Sequence, residues 1–198
     1  PMAYAYVRGA EEQNGGSRSN PLEAQAIAEW IAKNKEAWKS YYNESIKNIV
    51  AIVTPFKKQA TELQKALEAQ DGELKEVTAG TIHSLQGAER RIVVFSPVYQ
   101  YEKVKSLFFD RKPNMMNVAV SRAKDSFVVI GDVRIFDMRK NNSTSDTRMT
   151  SSPSALLGEY LFASEDNELK DVNVHVRIPE KTFNNIHRLS NLEQYQNF

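Results

Sequence analysis

Apolar residues in this chain fall into two kinds of run. Short, nearly continuous runs at Met2 to Val7, Ile49 to Val53, Val77 to Ile82, Ile92 to Ser96 and Phe127 to Ile130 read as strands. Runs without polar alternation suit strands covered on both faces, as in a parallel sheet. Between them the spacing turns helical. Ala24, Ile27, Ala28 and Ile31 recur on one helical face behind Asn20-Pro21-Leu22-Glu23. That tetrapeptide supplies an N-cap, a proline at the first helical position and an acidic partner for a capping box. This helix is expected to run on toward Trp38.

A second helix is expected from Thr54-Pro55, carrying Phe56, Ala60, Leu63 and Leu67 to a stop at Asp71-Gly72. A third opens at Pro113 and extends to about Lys124, with Met116, Ala119, Val120 and Ala123 on its apolar side. Strand and helix thus alternate through residue 132, which predicts βαβ units in an α/β fold with a mostly parallel sheet flanked by helices. Gly9 to Asn20 reads as a polar loop, and 138–152, rich in Ser, Thr and Asn, as a polar loop or insertion. Pro153 to Phe162 reads as a helix. Val172, Val174, Val176 and Ile178 alternate with polar residues, as an edge strand does. The expected division is a main domain over 1–162 and a C-terminal extension over 163–198.

Composition narrows the class. With 198 residues, 41% apolar and 26% charged, the chain has the usage of one soluble globular domain rather than a disordered segment or a membrane bundle. A net charge of +1 means that contact with nucleic acid must come from local clusters or backbone donors. Cysteine is absent, which removes disulfides and thiolate chemistry and fits a reducing, cytoplasmic or nuclear setting. His83, His175 and His187 lack metal-ligand spacing, so no metal site is expected. The chain opens on Pro1 without an initiator methionine and reads as part of something longer.

Three polar segments sit where these strands end or begin. In Ile52-Val53-Thr54-Pro55-Phe56-Lys57-Lys58-Gln59 a buried strand leads into a helix start, whose free N–H groups suit a phosphate. Read alone, Thr54 and Pro55 are a cap and Phe56 is core. In Thr81-Ile82-His83-Ser84-Leu85-Gln86-Gly87-Ala88-Glu89 a glycine permits close backbone approach while Thr81, His83, Ser84, Gln86 and Glu89 offer side-chain contacts. The plain alternative is a hydrogen-bonded loop with a solvated charge. In Asn117-Val118-Ala119-Val120-Ser121-Arg122-Ala123-Lys124 the expected helix presents Arg122, which suits the charge that develops on a transferring phosphoryl group. Its plain alternative is an exposed helix charge.

In this order the three segments resemble motifs four, five and six of superfamily one helicases, in the group that contains the nonsense-mediated-decay helicase and related DNA helicases. The likeness rests on Gln86-Gly87-Ala88-Glu89, on Asn117 to Lys124, and on the Asn20-x-x-Glu23-Ala24 helix start, over residues 1–135.

The resemblance implies a three-layer RecA-like fold of the P-loop NTPase class, acting as the second of two helicase domains. It implies ATP and Mg2+ held mainly by a preceding domain of the same polypeptide, with Gln86, Gly87, Glu89, Arg122 and Lys124 near the nucleotide and Arg122 as an arginine finger. It implies Thr54, Pro55, Phe56, Thr81, His83 and Ser84 against a single strand, DNA by family frequency rather than RNA, with 5′ to 3′ travel. No G-x-x-x-x-G-K-[S/T] phosphate loop occurs in these residues, so the chain by itself is expected to be inactive.

Two other readings stand beside it. One is a RecA-like nucleic-acid-binding module not coupled to ATP hydrolysis. The other is a self-contained α/β hydrolase using His83 with Glu89 or Asp132.

Overall fold

In the computed structural model, the structure describes residues 1–82, 84, 89–110, 114–136 and 152–169. Strands β1 (Met2–Tyr6), β4 (Val50–Thr54), β5 (Thr78–Thr81), β6 (Arg90–Phe95) and β7 (Ala123–Gly131) form one sheet in the order β1-β7-β6-β4-β5. Every pairing within it is parallel. Helices α1 (Pro21–Tyr42) and α3 (Lys57–Gln70) cover one face, with the short α2 (Ile46–Ile49) leading into β4. Helices α4 (Asn114–Val120) and α5 (Pro153–Leu161) cover the other. The result is the three-layer α/β arrangement expected from the alternation of runs.

The strands show why the runs looked continuous. Along β4, Ala51 and Val53 enter one core while Val50 and Ile52 enter the other. Phe127 and Val129 of β7 likewise join Met115, Met116, Ala119, Leu157 and Leu161. Val128 and Ile130 join Ile27, Ile31, Leu63 and Leu67. Side chains alternate across the sheet, and both faces are dry, so every position must be apolar.

Two expectations change. The polar loop of Gly9 to Asn20 contains a small hairpin, β2 (Glu12–Asn14) with β3 (Ser17–Ser19). Its two-residue turn is Gly15-Gly16 at φ +58° and +85°, the left-handed region that glycine adopts without steric cost. The third helix stops at Val120 rather than near Lys124. Ser121 N and Arg122 N close its last turns onto the carbonyls of Asn117 and Ala119. The chain then pairs with β6 from Ala123 onward, and strand pairing overrides the helical pattern that Ala123 appeared to continue. Lys124 therefore lies on a strand and not at the end of the helix. Finally, the alternating segment 172–178 and the loop 138–151 lie outside the described residues.

Helix α5 packs against the 3₁₀ turn Val133–Phe136 through Gly158. A Cβ at 158 would meet the Phe136 carbonyl oxygen at 2.1 Å, so the helix approaches that backbone as closely as only glycine allows. Gly158→Ala is expected to destabilise the fold by roughly 1–3 kcal/mol, as overpacking against fixed backbone does. A shift of the urea midpoint to lower concentration, with the slope unchanged, is the check.

Candidate functional site

Because the strands are parallel, their carboxyl ends form one rim and their amino ends the opposite rim, and the predicted residues divide between the two. At the carboxyl rim β4 and β5 are neighbours, with Thr54 in register with Thr81. Ser84 folds back on the end of β5, its N–H and hydroxyl both donating to the Thr81 carbonyl at 2.8 and 2.7 Å. Pro55 is half-buried and Lys57 exposed at the start of α3. Thr54 is fully buried, its hydroxyl oxygen 3.5 Å from the Phe56 N–H, and Phe56 packs edge-on against Tyr99 at 5.4 Å. Phe56 is therefore core, whereas Thr54 does not cap the helix: α3 begins at Lys57 with Phe56 as its N-cap residue and no side-chain cap bond. The surface left at this rim is Pro55, Thr81, Ser84 and the α3 N-terminus.

At the amino rim β6 and β7 are neighbours. Arg90 pairs with Ala123, and the Arg90 N–H donates to the Arg122 carbonyl at 2.9 Å. Lys124 Nζ lies 3.6 Å from Glu89 Oε2. A polar cleft of about 190 Å3 is lined there by Glu44, Asn48, Glu89, Arg90, Arg91 and Lys124. Arg122 occupies the turn between α4 and β7 and is half-buried. Its Nε is buried and has no acceptor among the described residues. A buried donor left unsatisfied costs about 1–3 kcal/mol, which sets this Nε apart from the paired Nε atoms of Arg90 and Arg91. Glu89, Arg122 and Lys124 thus lie at one rim, with Arg122 outside the lining of that cleft, and Thr81 and Glu89, only eight positions apart in sequence, stand at opposite rims. His83, Gln86 and Gly87 lie outside the described residues.

A self-contained hydrolase would draw on Asp132 or Glu89 beside His83, which lies outside the described residues. Asp132 is fully buried at the carboxyl rim, where Arg134 donates to both its oxygens at 2.7 and 2.6 Å and Tyr101 N–H adds a third bond at 2.9 Å. Glu89 lies at the other rim. Among the described residues no group of three His, Asp or Glu is placed to hold a metal ion.

One element of the carboxyl rim escaped the sequence reading. Asn20 caps α1 as expected, accepting from Glu23 N–H at 3.2 Å, but Glu23 does not reach back to close the box. Gln59 takes that place, accepting from Asn20 N–H at 2.7 Å. The Glu23 carboxyl instead turns inward, fully buried, and accepts from the Ser96 hydroxyl and from Val98 N–H at 3.0 Å. Gln59 Nε2 also donates to Ser96 at 3.0 Å, so one polar cluster ties α1, α3 and the end of β6 together. It holds Val98 at φ +74°, a strained conformation for a β-branched residue. The only hint in the sequence was position: Glu23 lies on the same helical face as Ala24 and Ile27.

Residues 2–134 match the family described as AAA domain. The chain is 26% identical over 151 residues to MOV-10 of Gallus gallus, a protein with a helicase name, covering 68% of this chain and 16% of that protein. It is 30% identical over 116 residues to the DNA polymerase alpha-associated DNA helicase A of Schizosaccharomyces pombe, covering 59% of this chain and 16% of that protein. It is 24% identical over 199 residues to the regulator of nonsense transcripts 1 homolog of Drosophila melanogaster, covering 94% of this chain and 15% of that protein. The chain thus spans about a sixth of the length of these relatives.

Burial pushes the Glu23 carboxyl up to about 8, against the Ser96 and Val98 hydrogen bonds that lower it. The folded chain therefore holds this proton where the unfolded chain has released it, from an ordinary value of 4.5 up to about 8. The stability it contributes is complete below pH 4.5 and is lost as pH rises through about 8. Glu23→Gln is expected to flatten the fall in stability over this window, measured as denaturant midpoints from pH 5 to 9 beside the wild type. A parallel slope in both proteins would remove the neutral carboxyl from the account.

Proposed function

We propose that this chain, which belongs to the AAA domain family and is a superfamily one helicase domain, works as the second half of an ATP-driven motor on single-stranded nucleic acid. The observation that carries this reading is the separation of the motif residues by rim. Those proposed for the nucleotide, Glu89, Arg122 and Lys124, gather at the amino ends of β6 and β7, whereas Pro55, Thr81 and Ser84 share the carboxyl ends of β4 and β5. A motor needs that separation, because the fuel and the track must be gripped by different surfaces of one rigid body.

ATP with Mg2+ supplies the phosphoryl transfer, and the preceding domain holds most of it. Among the described residues Arg122 is the arginine of the amino rim whose Nε lacks an acceptor, and it is the residue proposed as the arginine finger. Its task is to meet the charge that builds on the transferring phosphoryl group when the two domains close. Lys124 is restrained by Glu89 and acts as a second, softer anion contact. At the carboxyl rim the α3 N-terminus and Pro55 face the backbone of the strand, with Thr81 and Ser84 beside them. Phe56 and Thr54 support that surface from beneath. The strand is DNA or RNA: one relative carries a DNA helicase name and another is named for transcripts.

The test is the full-length protein's ATPase rate with no nucleic acid, with single-stranded DNA and with single-stranded RNA. A strand is expected to stimulate turnover, and Arg122→Ala to lower it by on the order of 10³–10⁵ while strand binding persists. The 198-residue chain alone is expected to show no measurable turnover. Strand binding without any ATPase in the full-length protein would favour the uncoupled binding module instead.

A further inference from the structure

The carboxyl rim holds a second concavity that none of the three motifs reaches. It lies between the β2–β3 hairpin and the loop 99–106, measures about 380 Å3, and is lined by Glu11, Gln13, Arg18, Tyr99, Lys103 and Lys105 among others. Its floor is fixed. Tyr99 is buried, with its hydroxyl accepting from Phe108 N–H at 2.9 Å, and the Arg18 guanidinium lies over the ring at 5.0 Å. Arg18 also pairs with the buried Glu11, which offsets its charge and holds it flat. Its wall is charged. Lys103 and Lys105 are exposed, and neither forms an ion pair among the described residues. The neighbouring carboxylate, Glu102, is drawn away to Arg134 at 2.9 Å and Arg8 at 3.3 Å. The groove therefore carries two positive charges with no counterpart among the described residues.

Its position decides what those charges are for. Tyr99 packs on Phe56, and Ser17 of the hairpin accepts from Lys58 N–H at 3.3 Å, so the groove abuts the Pro55 surface at the start of α3. It lies at the rim opposite Glu89 and Arg122 and is not an extension of the nucleotide edge. A polymeric anion lying on Pro55 runs into it.

We propose that this groove carries the sugar–phosphate backbone of the single strand past Pro55, with Lys103 and Lys105 each facing a phosphate beside the fixed Arg18. The site rests on the strand-binding reading of the carboxyl rim and enlarges its footprint on this domain. Contacts made to phosphates carry no base information, so the groove serves DNA and RNA alike.

The experiment is a salt titration of strand affinity in the full-length protein, by fluorescence anisotropy of labelled oligo-dT and oligo-rU. Each phosphate contact on a single strand contributes about 0.7 to the slope of log affinity against log salt. Lys103→Ala with Lys105→Ala is expected to lower that slope by about 1.4 for both oligomers, with a loss of affinity on the order of ten-fold at low salt. Lys103→Arg with Lys105→Arg is expected to restore the wild-type slope. Wild-type binding with an unchanged slope in the alanine variant overturns the groove and leaves the strand reading intact. Failure of arginine to restore the slope also overturns it, since charge is then not what was lost. A wild type that binds neither oligomer overturns both readings.

Discussion

The rest of this structure depends on one constraint: all five strands of the sheet run the same way. A parallel sheet cannot turn back on itself through short hairpins, so each connection must cross from one rim to the other, and most do so as helices on the faces. Both faces are then buried, which explains the unbroken apolar runs. The two rims are left as the places where polar chemistry can emerge, and they differ in kind. The amino rim gathers the segments entering β6 and β7, with the Arg122 turn and the Glu89 to Lys124 contact. The carboxyl rim gathers strand exits and the start of α3.

The buried cluster of Asn20, Glu23, Gln59 and Ser96 is the second determinant. Such a group is costly to bury, and the bonds that offset the cost join residues far apart in sequence, although Asn20 Nδ2 and Glu23 Oε2 have no partner among the described residues. Its effect is positional. It sets where β6 gives way to the loop that carries Tyr99 and Tyr101. At the far side of that loop Asp132 and Arg134 hold Tyr101 and Glu102 in turn. The exposed residues of the carboxyl rim are thus mounted on two buried polar anchors rather than on apolar packing alone.

Much of this was legible in the sequence. Burial on both faces writes itself into composition, so the strands were found within a few residues, and the Asn20-Pro21 start of α1 was read correctly because capping is local chemistry. What failed were features decided by distant partners. The first part of β7, Ala123 to Ser126, is polar enough to pass for the end of a helix until it meets β6. The β2–β3 strands are too short and too polar to announce themselves except through Gly15-Gly16. Glu23 obeyed its local signature in spacing but gave its carboxyl to Ser96 and Val98. The segment from Thr81 to Glu89 read as one loop, whereas it departs from one rim and arrives at the other. Spacing along a chain counts residues and says nothing of which side of a sheet they reach.

The turn that bears Arg122 is only two residues long, Ser121 and Arg122, set between the last turn of α4 and the first pairing of β7. So short a mount leaves little slack. The sheet between the rims is close-packed and stiff on both sides, and such interiors transmit displacement rather than absorb it. The domain therefore behaves as a plate with fittings at opposite ends: tilting it by one end swings the other through a fixed arc, with no signal passed from residue to residue and no internal rearrangement to wait for.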